Sequence, residues 1–268
     1  MFRVNWKAIA FCSCFLIVIA TAPHPAAGFT PGNNALDFDG INDYLEVLDP
    51  ISITGPFTIE AWVRVRDGAG GRICANSSGT TGYDFDIAGG SSGMYLRFGI
   101  FNQNQIKVNF DAYVGEWTHV AVIGVGEIGQ NVRLYINGEV AATAVVDETL
   151  AASSTNLHIG CLTNGMYFFD GAIDELRIWR TDLDQLTLQT YMNAIVETGH
   201  PVFNFLEGHW RFDEGAGQTA ASEVVGSQLD ARLGEAAGED TADPTWITSG
   251  VTPTERCSFG TVKAMYAD

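Results

Sequence analysis

The sequence predicts an all-β protein, a sandwich or barrel of short antiparallel strands, with a single helix towards its C-terminal end. Three observations carry this. From Ala35 to Trp179, short apolar and β-branched runs alternate with period two. Clusters of Gly, Asn, Asp and Ser break those runs at the spacing of a sandwich or barrel. One segment, "TDLDQLTLQTYMNAIVETG", instead carries its apolar residues at near-helical spacing.

The elements follow in order. Arg3 and Lys7 precede an apolar run from Ala8 to Ala22, and the small residues Ala26 and Gly28 come after it, so residues 1–28 are expected to be a secretory signal peptide. At about 15 residues the run falls short of the ~20 that a spanning helix needs. The expected protein is therefore secreted, extracellular or at a cell surface, with no membrane insertion. Cys12 and Cys14 lie inside the run, away from the place of a lipid-bearing cysteine. The next stretch, "ALDFDGINDYLEV", sets Asp37, Asp39, Asn42 and Asp43 around Gly40. Such oxygen-rich side chains suit either a calcium ion or a polar turn between two strands.

In "PFTIEAWVRV", Phe57, Ile59, Ala61 and Val63 share one face, and Thr58, Glu60, Trp62 and Arg64 the other. Further strands are expected in "YDFDIA", "MYLRFGIF", "QIKVNF", "WTHVAVIG", "NVRLYI", "EVAATAVV", "LHIG" and "AIDELRIW". Asn137-Gly138 between two of them is a hairpin signal, because both central residues of a type I′ turn need positive φ. The helix is expected over about 183–196, with Leu183, Leu186, Tyr191, Ala194 and Ile195 on its apolar side, Asp182 as N-cap and Gly199 as stop. Returning strands are expected within 203–234, closing a domain over 33–234 or opening another module, and a tail over 235–268.

Charge narrows the partners. The chain has 14 Lys and Arg against 32 Asp and Glu, a formal charge of −18, and loss of Arg3 and Lys7 with the leader makes it more acidic still. That field repels phosphate backbones and anionic headgroups, so nucleic acid is not an expected partner. Cys74, Cys161 and Cys257 permit one disulfide in three possible pairings, and no CxxC or Cys/His cluster suggests zinc.

The succession "ALDFDGINDYLEV", "FTIEAWVRV", "GEWTHVAV", "VRLYINGEVAA", "LHIG" and "FDGAIDELRIW", followed by a Leu-led helix, resembles the concanavalin A-like laminin G domain in its bacterial secreted form, over roughly 34–194. The resemblance implies a two-sheet antiparallel jelly-roll sandwich that binds glycans or extracellular protein ligands. It also implies a structural calcium ion, held by Asp39 or Asp43, Asn42, a carbonyl near Gly40, and Asp174. Related jelly-roll endoglucanases carry three alternating carboxylates on one strand. Here Asp84 and Asp86 share a face but Ala88 takes the third place, while Asp174 and Glu175 are adjacent and expected on opposite faces. GxSxG is absent. A non-catalytic module is expected, with an adhesive protein or an unrecognised polysaccharide-processing enzyme as alternatives.

The candidate ligand residues are Asn76, Tyr83, Asp84, Asp86 and Tyr95, on or beside Gly/Ser loops. Trp62 joins them as an aromatic platform beside Glu60, although a Glu60–Arg177 cross-strand pair between packed Trp62 and Trp179 is the blander expectation. His119 is expected to be structural, and Trp117 and Trp210 to lie in the core.

Overall fold

The computed structural model describes residues 34–249 apart from 67, 69, 91, 101, 102, 164 and 236. The expected leader and Cys257 lie outside the described residues. The alternating runs become β1 (Asn34–Asp39), β2 (Leu45–Val47), β3 (Phe57–Val65), β4 (Gly71–Ala75), β5 (Tyr83–Gly90), β6 (Gly93–Ile100), β7 (Gln103–Asn109) and β8 (Thr118–Gly124). Then come β9 (Asn131–Ile136), β10 (Glu139–Val145), β11 (Leu157–Ile159), β12 (Asp170–Trp179), α1 (Gln185–Tyr191), β13 (Leu206–Trp210), β14 (Thr219–Ala220), β15 (Ala231–Leu233) and β16 (Thr245–Thr248).

These strands form two antiparallel sheets. The first runs β10-β9-β8-β3-β12-β1-β16, with β13 also paired to β12; the second runs β14-β15-β2-β11-β4-β5-β6-β7. Their inner faces are the apolar halves of the alternation. Ile59, Ala61 and Val63 of β3 and Ile173, Leu176 and Ile178 of β12 meet Phe85 and Ile87 of β5 and Leu96 and Phe98 of β6 in one core. Phe57 and Phe98 stack across it at 5.3 Å. Asn137 (φ +50°) and Gly138 (φ +76°) make the β9–β10 turn in the left-handed conformation the hairpin signal requires.

The outer face of the first sheet is covered at its centre. Trp179 of β12 with Ala121, Ile123 and Tyr135 forms a second apolar cluster with Leu183, Leu188, Val196 and Leu206 from the segment after β12. The helix there is shorter than expected. Asp184, not Asp182, is the N-cap, its Oδ1 accepting the Thr187 amide at 2.9 Å. Past Tyr191 the backbone carbonyls turn to side chains of the sheet: Arg177 donates to Tyr191 O (3.1 Å) and Ala194 O (2.8 Å), and Trp62 Nε1 to Met192 O (2.9 Å). These donors meet the carbonyls of the last helical residue, of the C-cap Met192 and of Ala194 just beyond, where the seven-residue helix stops.

Residues 203–249 build both sheets. β13 pairs with β12 in the first sheet, while β15 pairs with β2 in the second, Ala231 opposite Val47. The segment beyond 234, expected as a tail, contains β16, which pairs with β1 through Leu36 and Trp246. The β-branched "TWIT" fits an edge strand, although its Ala/Gly/Asp-rich surroundings hide it in the composition. Cys74 and Cys161 are buried as free thiols. Among the described residues no helix is long and apolar enough to cross a membrane.

Candidate functional site

The second sheet presents a polar outer face. Because Tyr83, Phe85 and Ile87 of β5 point into the core, Asp84 and Asp86 point outward. Pairing registers Arg72 of β4 against Asp86, Asp86 against Arg97 of β6, and Arg97 against Lys107 of β7. The result is a cross-strand row. Arg72 Nη1 lies 2.8 Å from Asp86 Oδ2, Arg97 Nε lies 2.6 Å from Asp86 Oδ1, and Arg72 Nε lies 3.7 Å from Asp84 Oδ1.

Part of this row is covered by the segment between Gly160 and Phe169. That segment closes on itself through the Phe169 N–H donating to Gly160 O (2.7 Å) and pairs with β4 through the Arg72 N–H donating to Tyr167 O (3.0 Å). Its Tyr167 ring lies over the Arg72 guanidinium, 4.7 Å from ring centroid to carbon, and is itself 58% exposed. Asp84 and Asp86 are each 2% exposed. Burial raises the Asp86 carboxyl, against the opposing charges of Arg72 and Arg97. Towards β7 the row opens: Arg97 is partly exposed, and Lys107 reaches over the Tyr95 ring, 4.9 Å from its centroid. The arrangement offers guanidinium donors fixed by buried carboxylates, flanked by two aromatic rings.

Of the expected ligand residues, Asp84, Asp86 and Tyr95 share this face, and the other three do not. Asn76 is fully buried and fastens a turn, its Nδ2 donating to Pro50 O (2.6 Å) and its Oδ1 accepting from Tyr83 N (3.0 Å). Tyr83 belongs to the core, and burial raises its hydroxyl well above the usual value. Trp62 is 1% exposed beneath α1 on the opposite sheet, so it is no platform. Arg72, Arg97, Lys107 and Tyr167 were not foreseen. The alternation of "MYLRF" places Arg97 beside Tyr95 on one face, but the position of Tyr167 depends on a loop with no periodic signal.

The expected calcium ligands do not assemble. Asp39 Oδ1 accepts from the backbone of Ile41 (2.7 Å) and Asn42 (3.3 Å), and Asp43 Oδ2 from that of Asp39 (2.8 Å), which is a self-closed turn. Asn42 Nδ2 donates to Thr241 O (2.5 Å). Gly40 is held at φ +77°, where an added Cβ would stand 2.7 Å from that of Asp170. The register pairs Asp39 with Asp170, so Asp174 lies four residues farther along β12, about 13 Å away. Among the described residues no group of three or more His, Cys, Asp or Glu side chains could hold a metal ion.

Asp174 instead belongs to a buried network under α1. The pairing of β12 with β3 skips a residue between Asp174–Trp62 and Arg177–Glu60, with Glu175 at φ +49°. This bulge turns Glu175 to the same side as Arg177, which corrects the expectation of opposite faces for Asp174 and Glu175. Glu175 Oε2 meets Arg177 Nη2 and His209 Nε2, both at 2.8 Å. Glu60 meets His119 Nε2 at 3.0 Å, Trp179 Nε1 at 2.9 Å and Arg177 at 3.7 Å. Burial opposes ionisation of Glu60, but the His119 hydrogen bond and the Arg177 charge outweigh it and hold the carboxyl at about 2. Glu175 is likewise held below the carboxylate range, while burial and the neighbouring Glu175 and Asp213 charges push Asp174 well above it. These groups fasten α1 and β13 to the sheet. The Glu60–Arg177 pair is the expected one, and Trp117 is half-buried rather than core.

The family model of the concanavalin A-like lectin/glucanases superfamily, laminin G type 3, matches residues 39–189. A solved structure from Bacteroides ovatus, described as that of a candidate carbohydrate-binding protein, superposes with a TM-score of 0.63 at 19% identity, covering 83% of this chain and 62% of its own. The chain thus spans less than two thirds of that protein. The heptameric SAP-like pentraxin of Limulus polyphemus gives 0.49 at 17% identity, over 61% of this chain and 84% of its own. No curated protein matches the sequence. With more than half of the chain matched, and with the two sheets and the hairpin that the matched motifs imply, the chain belongs to the concanavalin A-like lectin/glucanase superfamily.

Proposed function

We propose that the protein is a secreted, non-catalytic module that binds carbohydrate on the outer face of its second sheet. The row Arg72–Asp86–Arg97, with Tyr167 and Tyr95 beside it, carries this reading. The buried carboxylates hold the guanidinium groups in fixed directions, so a sugar hydroxyl meets donors that lose little freedom on binding. Exposed aromatic surface supplies a stacking partner for the apolar face of a sugar ring. Membership of a lectin-containing superfamily and the description of the Bacteroides ovatus protein agree with it. The carboxylates of the face are tied to arginines, which suits positioning rather than proton transfer. Calcium has no part in this reading, because the expected ligands do not converge.

The test is a glycan array with the purified protein and two variants, Arg97→Ala and Tyr167→Ala. Binding to a defined set of glycans is expected, weakened at least about tenfold in each variant, the scale of one lost charge-assisted or stacking contact. A blank array, or variants that bind like the parent, would overturn the site. Release of reducing ends from a bound polysaccharide would overturn the non-catalytic assignment.

A further inference from the structure

On the other side of the molecule, a cavity of about 130 Å³ opens beside the covered part of the first sheet, lined by Asp37, Arg64, Val65, Arg66, Gly115 and Gly171. The register Asp37–Ala172–Arg64 across β1, β12 and β3 places Asp37 and Arg64 in one row on the outer face. Its two cations differ. Arg66 is fully engaged: Nη2 lies 2.5 Å from Asp37 Oδ2, and Nη1 lies 2.6 Å from Asp170 Oδ1 and donates to Phe38 O at 2.7 Å. Arg64 is stacked over the Trp117 ring, 5.2 Å from its centroid, and among the described residues no carboxylate lies within ion-pair distance of it. Gly115 donates its N–H to Val65 O (2.9 Å), and a Cβ there would meet nothing within 4 Å, so this wall stays open.

We infer that this cavity is a subsite for the carboxylate of a hydroxy acid or sugar acid. A guanidinium held over an aromatic ring loses little freedom when its fork makes two parallel hydrogen bonds to a carboxylate. Asp37, with Oδ2 committed to Arg66, has Oδ1 to accept an adjoining hydroxyl. Arg64 and Arg66 together balance Asp37 and Asp170, so the cavity is neutral before a monoanion enters, with the Arg64 guanidinium free of carboxylate contact among the described residues to receive it. A dianionic phosphate would instead face Asp37 and Asp170 at short range. The volume lies well below the roughly 300–1,000 Å³ of pockets that enclose a whole small molecule, so the cavity takes the acidic end of a ligand and leaves the remainder outside. Contact with so few atoms implies millimolar affinity for a monosaccharide.

The experiment is an NMR titration of the full-length protein with D-glucuronate and with D-glucose, following the Trp117 indole N–H signal, identified by its loss in Trp117→Phe. Glucuronate is expected to shift that signal and glucose to leave it in place. Arg64→Gln should weaken the glucuronate titration at least about tenfold, the effect of losing a charged hydrogen-bonding pair. Arg64→Lys, which keeps the charge but not the fork, should weaken it less, and it stands in if the glutamine variant does not fold. Arg97→Gln, on the opposite sheet, should leave the glucuronate titration unchanged whatever it does to array binding, so the two sites can fail separately. Equal shifts by glucose and glucuronate, no shift at all, or an Arg64 variant that titrates like the parent would overturn the subsite.

Discussion

Adjacent carboxylates in β12 behave in opposite ways. Glu175 is charged and paired with Arg177 and His209, whereas burial and two neighbouring carboxylates raise Asp174 well above the usual range. Glu175→Gln removes the nearer carboxylate of Arg177, leaving it only Glu60 at 3.7 Å, and the acceptor that His209 meets, so a loss of about 3 kcal/mol is expected in denaturant unfolding at neutral pH. Asp174→Asn removes a charge the fold disfavours, and an equal or higher Tm is expected. Glu60 carries the pH dependence. Its carboxyl sits near 2 in the fold against 4.5 when free, so the unfolded chain binds the extra proton between those values. Stability from Glu60 is therefore full above about pH 4.5 and is lost as pH falls towards 2. Circular dichroism should show an acid transition in that window, shallower in Glu60→Gln. The sequence made the Glu60–Arg177 pair visible through strict alternation. The role of Glu175 was hidden, because a bulge with positive φ at a glutamate leaves no trace in a period-two pattern.

At the scale of elements, α1 shows which boundaries a sequence can carry. The apolar spacing of "LDQLTLQTY" marked a helix, and Asp184→Ala should cost about 1 kcal/mol, because it removes the side chain that caps the Thr187 amide. A thermal melt reads that loss. The other end was illegible, since the carbonyls there are met by side chains of the sheet, Arg177 from the preceding strand and Trp62 from β3, 130 residues away in sequence. The same limit applies to the ligand face. Asp84 and Asp86 were visible as outward residues of "YDFDIA", but nothing in the sequence showed that the segment before β12 folds back to lay Tyr167 on Arg72. The acid-rich "DFDGIND" stretch has the opposite lesson: one oxygen each of Asp39 and Asp43 is spent on the backbone of their own turn, and Asp37 is paired with Arg66. Excess chelator is accordingly expected to leave the melting curve unchanged, and a fall of several degrees that calcium reverses would count against this account.

For the whole molecule, the motif order was enough to give two antiparallel sheets and a helix, because period-two alternation and turn residues are written locally. The pairing of distant strands is not. β16 lies in a segment whose composition looks like a tail, yet it completes the first sheet against β1. A chain ending after residue 234 is expected to melt at a lower temperature and to self-associate, since the apolar β1 would become an open edge. Light scattering during a thermal ramp reads both effects. The position of β1 also bears on how the protein is made. Among the described strands it is the first to be synthesised, but its partner β12 comes well past the middle of the described chain and its partner β16 at the end. The sheet cannot close around β1 until nearly all of the domain has been made, so late-arriving contacts set the pace of folding. On the proposal that the protein is secreted, that delay lets the chain pass through a narrow conduit before it locks into shape.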